Sequence, residues 1–248
     1  MNVNNFSMRY NQMGLVATVH LKDCENNFVA WQRFLPDSVI ALLPLTDELS
    51  SIVWSTNTKH FQQLMKLNEI EFVDAVNEAF MREYDKSSAV DMFNQFSGNF
   101  LKSLSQEARQ LPPQIDGLYR NSKAGFPLGF AHASNYVARG AALIGDAAHR
   151  IHPLAGLGLN LGIGDVKCLT EKLEAATYNG ARLNNLNYLL QYERHQLRHN
   201  IPIMFGVHGI HQIYSINSSI VTLTRSIGIQ FTQKMAPLKN FFMEKAMG

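Results

Sequence analysis

LIGDAAHRIHPLAGLGLNLGIGDV, residues 143–166, is the stretch whose reading decides the fold. An apolar run ends in Gly145-Asp146. Two histidines and a proline follow at 149, 152 and 153, and glycines recur at 156, 158, 162 and 164. Read from residue types, Tyr136 to Gly145 is a strand that brings the Asp146 carboxylate to its carboxyl end, where open α/β sheets bind ligands. A carboxylate there accepts bonds from sugar hydroxyls. A helix is expected to start near Gly156 and run to about Ala175. Glycines at its start let a ligand approach the backbone, and the exposed N–H groups and helix dipole favour negative charge. Such a site wants a polyol on one side and an anionic oxygen or nitrogen on the other.

Two other glycine motifs fail. A P-loop would end in Gly-Lys-Ser/Thr, which is absent. A GxGxxG fingerprint would need glycine at 161, where Leu161 stands, and a loop with Pro153 separates the glycines from the strand. From spacing alone, a plain glycine-rich helix start remains open.

Upstream, Gly14–Leu21, Phe28–Leu35, Val39–Leu45 and Ser51–Ser55 read as strands with β-branched residues and near alternation. Turns at Asn26-Asn27, Pro36-Asp37 and Asp47 make them an antiparallel meander. Glu69–Asp85 carries a one-sided helical stripe of Ile70, Phe72, Val73, Val76, Ala79 and Phe80. Ser97–Gln110 is a less clear helix, ended by Leu111-Pro112-Pro113. Gly125–Ala131 looks extended. Downstream, a helix is expected from about Leu186 to Asn200, broken or kinked at Pro202, and the apolar Ile201–Phe231 reads as a packed or surface-bound helix pair.

Composition narrows the class. The chain has 248 residues, 46% apolar and 17% charged, an ordinary globular balance with room for one sizeable domain or two smaller ones. A net charge of +2 with scattered lysines and arginines gives no nucleic-acid footprint. Cys24 and Cys168 stand far apart with no CxxC, which argues against a disulfide framework or zinc site and for a reducing compartment. Asn5-Phe6-Ser7 and Asn217-Ser218-Ser219 match the glycosylation pattern without other signs of secretion. Met1–Tyr10 is Asn-rich with one arginine and no apolar stretch, so it is not expected to be a targeting segment, and no run of 18 apolar residues occurs.

The motif GDAAHRIHPLAGLGLNLGIGDV resembles the second FAD-binding motif of the class A flavin-dependent aromatic hydroxylases. The resemblance implies FAD as cofactor. Gly145 and Asp146 would meet the ribityl chain, and the backbone of Gly156, Leu157, Gly158, Leu159 and Asn160 would face the pyrimidine edge of the isoalloxazine. Pro153 would sit beside flavin and substrate, the one position with a catalytic, positioning role; no protein nucleophile and no metal are expected. Charge near N1 and the C2 carbonyl of a reduced flavin suits a helix N-terminus. Leu157 departs from the family, which usually has glutamine there, and so bears on how the flavin or the loop is oriented.

The segments Trp31-Gln-Arg-Phe-Leu-Pro36, Ala41-Leu-Leu-Pro-Leu45 and Ser51-Ile-Val-Trp-Ser-Thr56, with Asn11-Gln12, narrow the resemblance to ubiquinone-biosynthesis hydroxylases of the Coq6 type, over roughly Tyr10 to Arg198. It implies an α+β / α/β fold, the carboxyl-terminal part of a two-domain FAD-dependent aromatic hydroxylase. Residues 1–130 would be a substrate-binding portion, 131–180 the second half of the FAD-binding domain, and 181–248 carboxyl-terminal helices. It also implies hydroxylation of a polyprenylated phenol or benzoate by a flavin C4a-hydroperoxide, a ferredoxin-type reductant, contact with other ubiquinone-biosynthesis proteins, and a mitochondrial place on the matrix side of the inner membrane. Apolar strands such as Val39–Leu43 suit a hydrophobic substrate wall.

Family members begin with a strand–GxGxxG–helix unit for the ADP half of FAD and carry a further flavin-proximal segment. Neither occurs in this sequence. The expectation is a fragment, shortened isoform or incomplete gene product that matches only the carboxyl-terminal half, has lost any targeting segment, and holds little FAD by itself. A non-catalytic remnant docking in the ubiquinone-biosynthesis assembly, and a flavin hydroxylase of another aromatic substrate, are the competing readings. A GxGxxG unit in frame upstream of Met1 would favour the enzyme over the remnant.

The other chemical candidates have simpler explanations. His195 and His199 are spaced like the histidines of HExxH, but Gln196 replaces the general base, so a solvated helix face is expected. His208 and His211 read as helix residues, and His149 and His152 as loop-structuring. Asp165 reads as a helix-surface residue and Asp116 as a turn residue. Met8, Met13, Met65, Met81 and Met92 read as core filling. The basic, amphipathic Lys234–Lys245 suits packing onto the helical body, with membrane-surface association as the alternative.

Overall fold

A computed structural model describes residues 5–22, 26–35, 38–82 and 111–216, with 235, 237 and 240. The expected helix at Ser97–Gln110, the position of Met92, and nearly all of the chain beyond 216 lie outside the described residues. Two compact units emerge. One is built on Asn11–Leu128, the other on Gly129–Gln212 with the residues up to Tyr10.

The first unit contains the strands β1 (Asn5–Leu21), β2 (Trp31–Leu35), β3 (Ser38–Pro44), β4 (Leu49–Asn57), β5 (Ile115–Leu118) and β6 (Ala124–Ala133). Strands β1 and β6 continue into the second unit. The strand order is β2-β3-β4-β1-β6, with β5 also on β1. Pairing is antiparallel for β2–β3, β3–β4, β4–β1 and β1–β5. The expected hairpins β2–β3 and β3–β4 are present, but β1 lies beside β4, so the four strands are not a simple meander. β1 also starts earlier than expected, while Phe28 and Val29 are exposed and outside β2.

Alternation explains the core. Leu15, Ala17 and Val19 of β1, Ile40 and Leu42 of β3, and Ile52 and Trp54 of β4 all point to one face. There they pack with Leu64 of α1 (Thr58–Lys66) and Phe72, Val73, Val76, Ala79 and Phe80 of α2 (Glu69–Met81). Each such large side chain contributes roughly 1.5–3 kcal/mol of burial. Asn57 caps α1 by accepting from the His60 N–H. Asn68 and Glu71 form a reciprocal capping box on α2. Arg33, from the Trp31–Pro36 segment, donates to the carbonyls of Ala79, Phe80 and Arg82 at the other end of α2. Met65 packs against this core, but Met81 is exposed rather than filling it. Asp116 lies exposed on strand β5, not in a turn.

In the second unit, the expected strand Tyr136–Gly145 is instead a minimal hairpin, β7 (Val137–Ala138) with β8 (Ala141–Ala142). Its two-residue loop, Arg139-Gly140, puts Gly140 at φ +76°, the left-handed geometry such loops favour. Asp146 is therefore not delivered by a buried parallel strand; it sits on a 3-10 turn, Gly145–Ala147. β9 (His149–Arg150) pairs antiparallel with β6. A second 3-10 turn, Pro153–Ala155, leads into α3 (Gly158–Tyr178).

Helix α4 (Leu186–Ser215) runs through Pro202 rather than breaking there. Its buried stripe of Leu189, Tyr192, Gln196, Asn200, Met204, Val207 and His211 continues on both sides of the proline. Packing on either side outweighs the lost backbone bond. The core joins Ala133, Tyr136, Val137, Ala148, Cys168, Leu189 and Tyr192. Among the described residues no helix is long and apolar enough to cross a membrane.

Candidate functional site

The motif folds into two 3-10 turns and the start of α3, all in the second unit. Ile144 is extended, and Gly145 then reverses the chain at φ +54°, a conformation that costs other residues about 1–2 kcal/mol. The turn stands against α3 at Gly162: a Cβ added there would lie 3.5 Å from the Gly145 Cα. The paired glycines let turn and helix approach, one helical turn beyond the start of α3. Asp146 is exposed on this turn, and no hydrogen bond engages its carboxylate among the described residues.

The turn is anchored by a residue that sequence reasoning placed on the surface. Asp165, in α3, is fully buried. Its Oδ2 accepts the Gly145 N–H at 2.8 Å and lies 2.7 Å from His149 Nε2; its Oδ1 accepts from Asn200 Nδ2 at 3.1 Å. Acceptor-only oxygens suit three converging donors. The available signal was the spacing of Gly145 and Asp165: a helix starting near 156 puts position 165 about 200° round from 163, facing inward with Leu161 and Cys168.

Further bonds hold the surrounding loop. The Tyr192 hydroxyl donates to the Leu143 carbonyl at 2.7 Å, and Gln196 Nε2 donates to the Gly164 carbonyl at 3.1 Å. Glu193 accepts the Tyr136 and Val137 N–H groups at 2.7 and 3.0 Å. Burial raises the Tyr136 hydroxyl to about 12 and pushes the Tyr192 hydroxyl up as well. These phenols are therefore hydrogen-bonding groups rather than bases near neutral pH.

His149 and His152 take the loop-structuring part. His152 is buried, and its Nδ1 accepts the Leu154 N–H at 3.1 Å, capping the turn that begins at Pro153. Burial, reinforced by His211, lowers its pKa to about 3, so the ring is the neutral acceptor this bond needs. Tyr10 packs on His152 and His211 with centroids 5.1 and 4.6 Å away, and its hydroxyl lies 3.0 Å from His208 Nδ1. Thus His208 and His211 belong to an aromatic cluster. Among the described residues no group of three or more His, Cys, Asp or Glu is placed to hold a metal ion.

Pro153 is half-buried at the head of its turn. Gly156 closes that turn at φ +63°, its N–H donating to the Pro153 carbonyl. Leu157 is the N-cap residue of α3 and supplies no side-chain cap; Leu159 is 74% exposed. A Cβ at Gly156 or Gly158 would meet nothing within 4 Å. The start of α3 is thus an open backbone surface lacking a side-chain cap, with the turn of Asp146 packed against its next coil. These residues fit the middle of a flavin nucleotide: N–H donors and positive dipole for the electron-rich ring edge, carboxylate for the ribityl hydroxyls. The structure brings together Gly145, Asp146, Pro153 and Gly156–Asn160 within one loop system. It does not bring His195 and His199 into it.

Residues 122–202 match the family described as FAD binding domain. Along its length the chain is homologous to about half of the mitochondrial ubiquinone biosynthesis monooxygenases COQ6. It is 52% identical over 253 residues to that of Drosophila melanogaster, covering 100% of this chain and 52% of that protein. It is 43% identical to that of Homo sapiens, covering 97% and 52%. The chain therefore spans about half the length of the curated relatives it matches. Among solved structures, it shares its fold with p-nitrophenol 4-monooxygenase PnpA from Pseudomonas putida DLL-E4, at TM-score 0.63, 16% identity, 100% of this chain and 55% of that one. A second is PqsL, a probable FAD-dependent monooxygenase from Pseudomonas aeruginosa, at TM-score 0.61, 19% identity, and 89% and 53% coverage. The expected α+β hydroxylase fold agrees with these likenesses.

Proposed function

We propose that the chain is the part of an FAD-dependent aromatic-ring monooxygenase of ubiquinone biosynthesis that holds the flavin's ring and ribityl chain. The observation that carries this reading is the open start of α3 at Gly156–Asn160, without a side-chain cap and packed one turn further on against the turn that bears Asp146. Asp146, with Gly145, would take the ribityl hydroxyls. The backbone of Gly156, Leu157, Gly158, Leu159 and Asn160 would face the pyrimidine edge. Because Leu157 contributes through its backbone, the absence of a glutamine side chain leaves that role intact. Pro153 would shape the wall beside flavin and substrate.

FAD, when bound, supplies the redox chemistry with O₂. The chain's own residues position and shield. His149, Asp165 and Asn200 fix the Gly145 turn, and His152 fixes the turn from Pro153. In functional division, residues 1–130 would contribute the substrate portion, 131–180 the flavin portion and 181–248 the carboxyl-terminal helices. The half-buried sheet face of Val16, Val39, Ala41 and Val53, opposite the core of the first unit, suits an apolar polyprenylated phenol. Ile40 and Leu42, by contrast, belong to that core. The COQ6 relatives are named mitochondrial, and we assign this chain the same compartment, at the matrix face of the inner membrane, with a ferredoxin-type reductant.

The test joins the half of the Drosophila relative that this chain does not cover to this chain and measures bound flavin by absorbance. Oxygen consumption with a prenylated phenol follows. A near-stoichiometric flavoprotein that consumes oxygen with the phenol is expected. A correctly folded protein that stays colourless in excess FAD would overturn the reading in favour of a non-catalytic remnant.

A further inference from the structure

We propose that the cleft between α3 and α4 is a binding site for a phosphate group, separate from the flavin-facing loop. It is a cleft of about 500 Å³ lined by Lys172 of α3 and by Gln191, Arg194, His195, Arg198 and His199 of α4. The five α4 residues follow i, i+3, i+4, i+7, i+8 spacing and so form one helical stripe. Three permanent cations and two imidazoles line the space, and no carboxylate does. This local concentration is not a reflection of a basic chain, whose net charge is only +2.

The grouping of these cations in one cleft without a carboxylate separates it from an ordinary solvated face. Some cations elsewhere are engaged: Arg33 holds the end of α2, Arg82 pairs with Glu78, and Lys123 donates to the carbonyls of Met65 and Leu67. Among the described residues, Lys172, Arg194 and Arg198 have neither an ion pair nor a hydrogen bond. Arg194 and Arg198 are four apart on one helix, an arrangement whose like-charge repulsion is relieved by an anion between them. Two guanidinium groups and an ammonium match the oxygens of a phosphate, each guanidinium able to donate two parallel bonds. Gln191 adds a neutral donor at one end. The shared chemistry of a free phosphate ester and a phospholipid headgroup is what the cleft recognises.

The experiment uses the full chain and two probes. Inorganic pyrophosphate is titrated calorimetrically, and vesicles of phosphatidylcholine with or without phosphatidic acid are co-sedimented. Pyrophosphate binding identifies a free phosphate as the source, and binding only to the phosphatidic acid vesicles identifies a headgroup. In either case Arg194→Gln/Arg198→Gln should weaken binding by about tenfold or more, and Lys172→Gln by several-fold. Arg139→Gln, in the β7–β8 loop, should leave it unchanged. If the double variant loses its helical circular dichroism, Lys172→Gln and Arg139→Gln decide. Binding equal in the cleft variants and the parent, or no binding of the parent to either probe, overturns the proposal.

Discussion

Replacing Asp165 should unfasten the Gly145–Ala147 turn and cost stability out of proportion to one surface-like residue. Its carboxylate has no solvent exposure and meets three donors: the Gly145 N–H at 2.8 Å, His149 Nε2 at 2.7 Å and Asn200 Nδ2 at 3.1 Å. Asp165→Ala leaves all three buried without their acceptor. At about 1–3 kcal/mol for each group left unsatisfied, with partial relaxation and non-additivity, a loss of about 3–5 kcal/mol is expected. Asp165→Asn keeps the shape but turns an amide N–H₂ toward donors, and should cost about 2–3 kcal/mol. Urea unfolding followed by circular dichroism reads both values, at constant m. In the fused protein, Asp165→Ala should also weaken FAD binding, since Gly145 sets where Asp146 points. An Asp165→Ala variant within about 1 kcal/mol of the parent would refute the reasoning, because no buried three-donor anchor could be removed so cheaply.

The remaining expectations concern pH and the glycines. His152 has a folded pKa of about 3 against an ordinary 6.5, lowered by burial and by His211, so the unfolded chain binds its proton first. Its contribution is complete above about pH 6.5 and falls by about 1.4 kcal/mol per pH unit on the way to pH 3, with His211 shifted in the same direction. A urea midpoint unchanged between pH 7 and 5 would contradict that. Gly145→Ala places a Cβ at φ +54° and should destabilise by about 1–2 kcal/mol, read by thermal unfolding. Gly164→Ala, inside α3 with open space around it, should instead gain about 0.5–1 kcal/mol. Gly158→Val should lower the flavin absorbance ratio of the fused protein more than Gly164→Ala; the reverse order would mean that the start of α3 does not face the flavin.

Patterns local in sequence were legible. The α2 stripe from Phe72 to Phe80, the alternation in β3 and β4, and the glycine-rich start of α3 each express one element's periodicity. What escaped depended on distant partners. β1 pairs with β4, a choice no single strand records. Arg139-Gly140 folds back as a hairpin where an apolar run suggested one strand. Pro202 stays helical because residues on both sides are buried. Asp165 looks like any helix-surface acid until His149 and Asn200, 16 and 35 residues away, arrive around it. In the candidate site, Asp146 and Gly156–Asn160 were readable as a motif. The anchor that positions them was not, since a buried carboxylate is recognised by its donors rather than by its neighbours in sequence.

The central claim is that Asp146 and the open start of α3 hold the flavin, and the FAD dissociation constant of the fused protein with and without Asp146→Ala tests it most directly. Asp146 is exposed, so its loss should leave the fold intact and remove only a charge-assisted bond of about 1.5–3 kcal/mol to the ribityl hydroxyls. Affinity should fall roughly ten- to a hundredfold at unchanged unfolding midpoint. An unchanged dissociation constant would contradict the account and leave Asp146 as an ordinary surface acid.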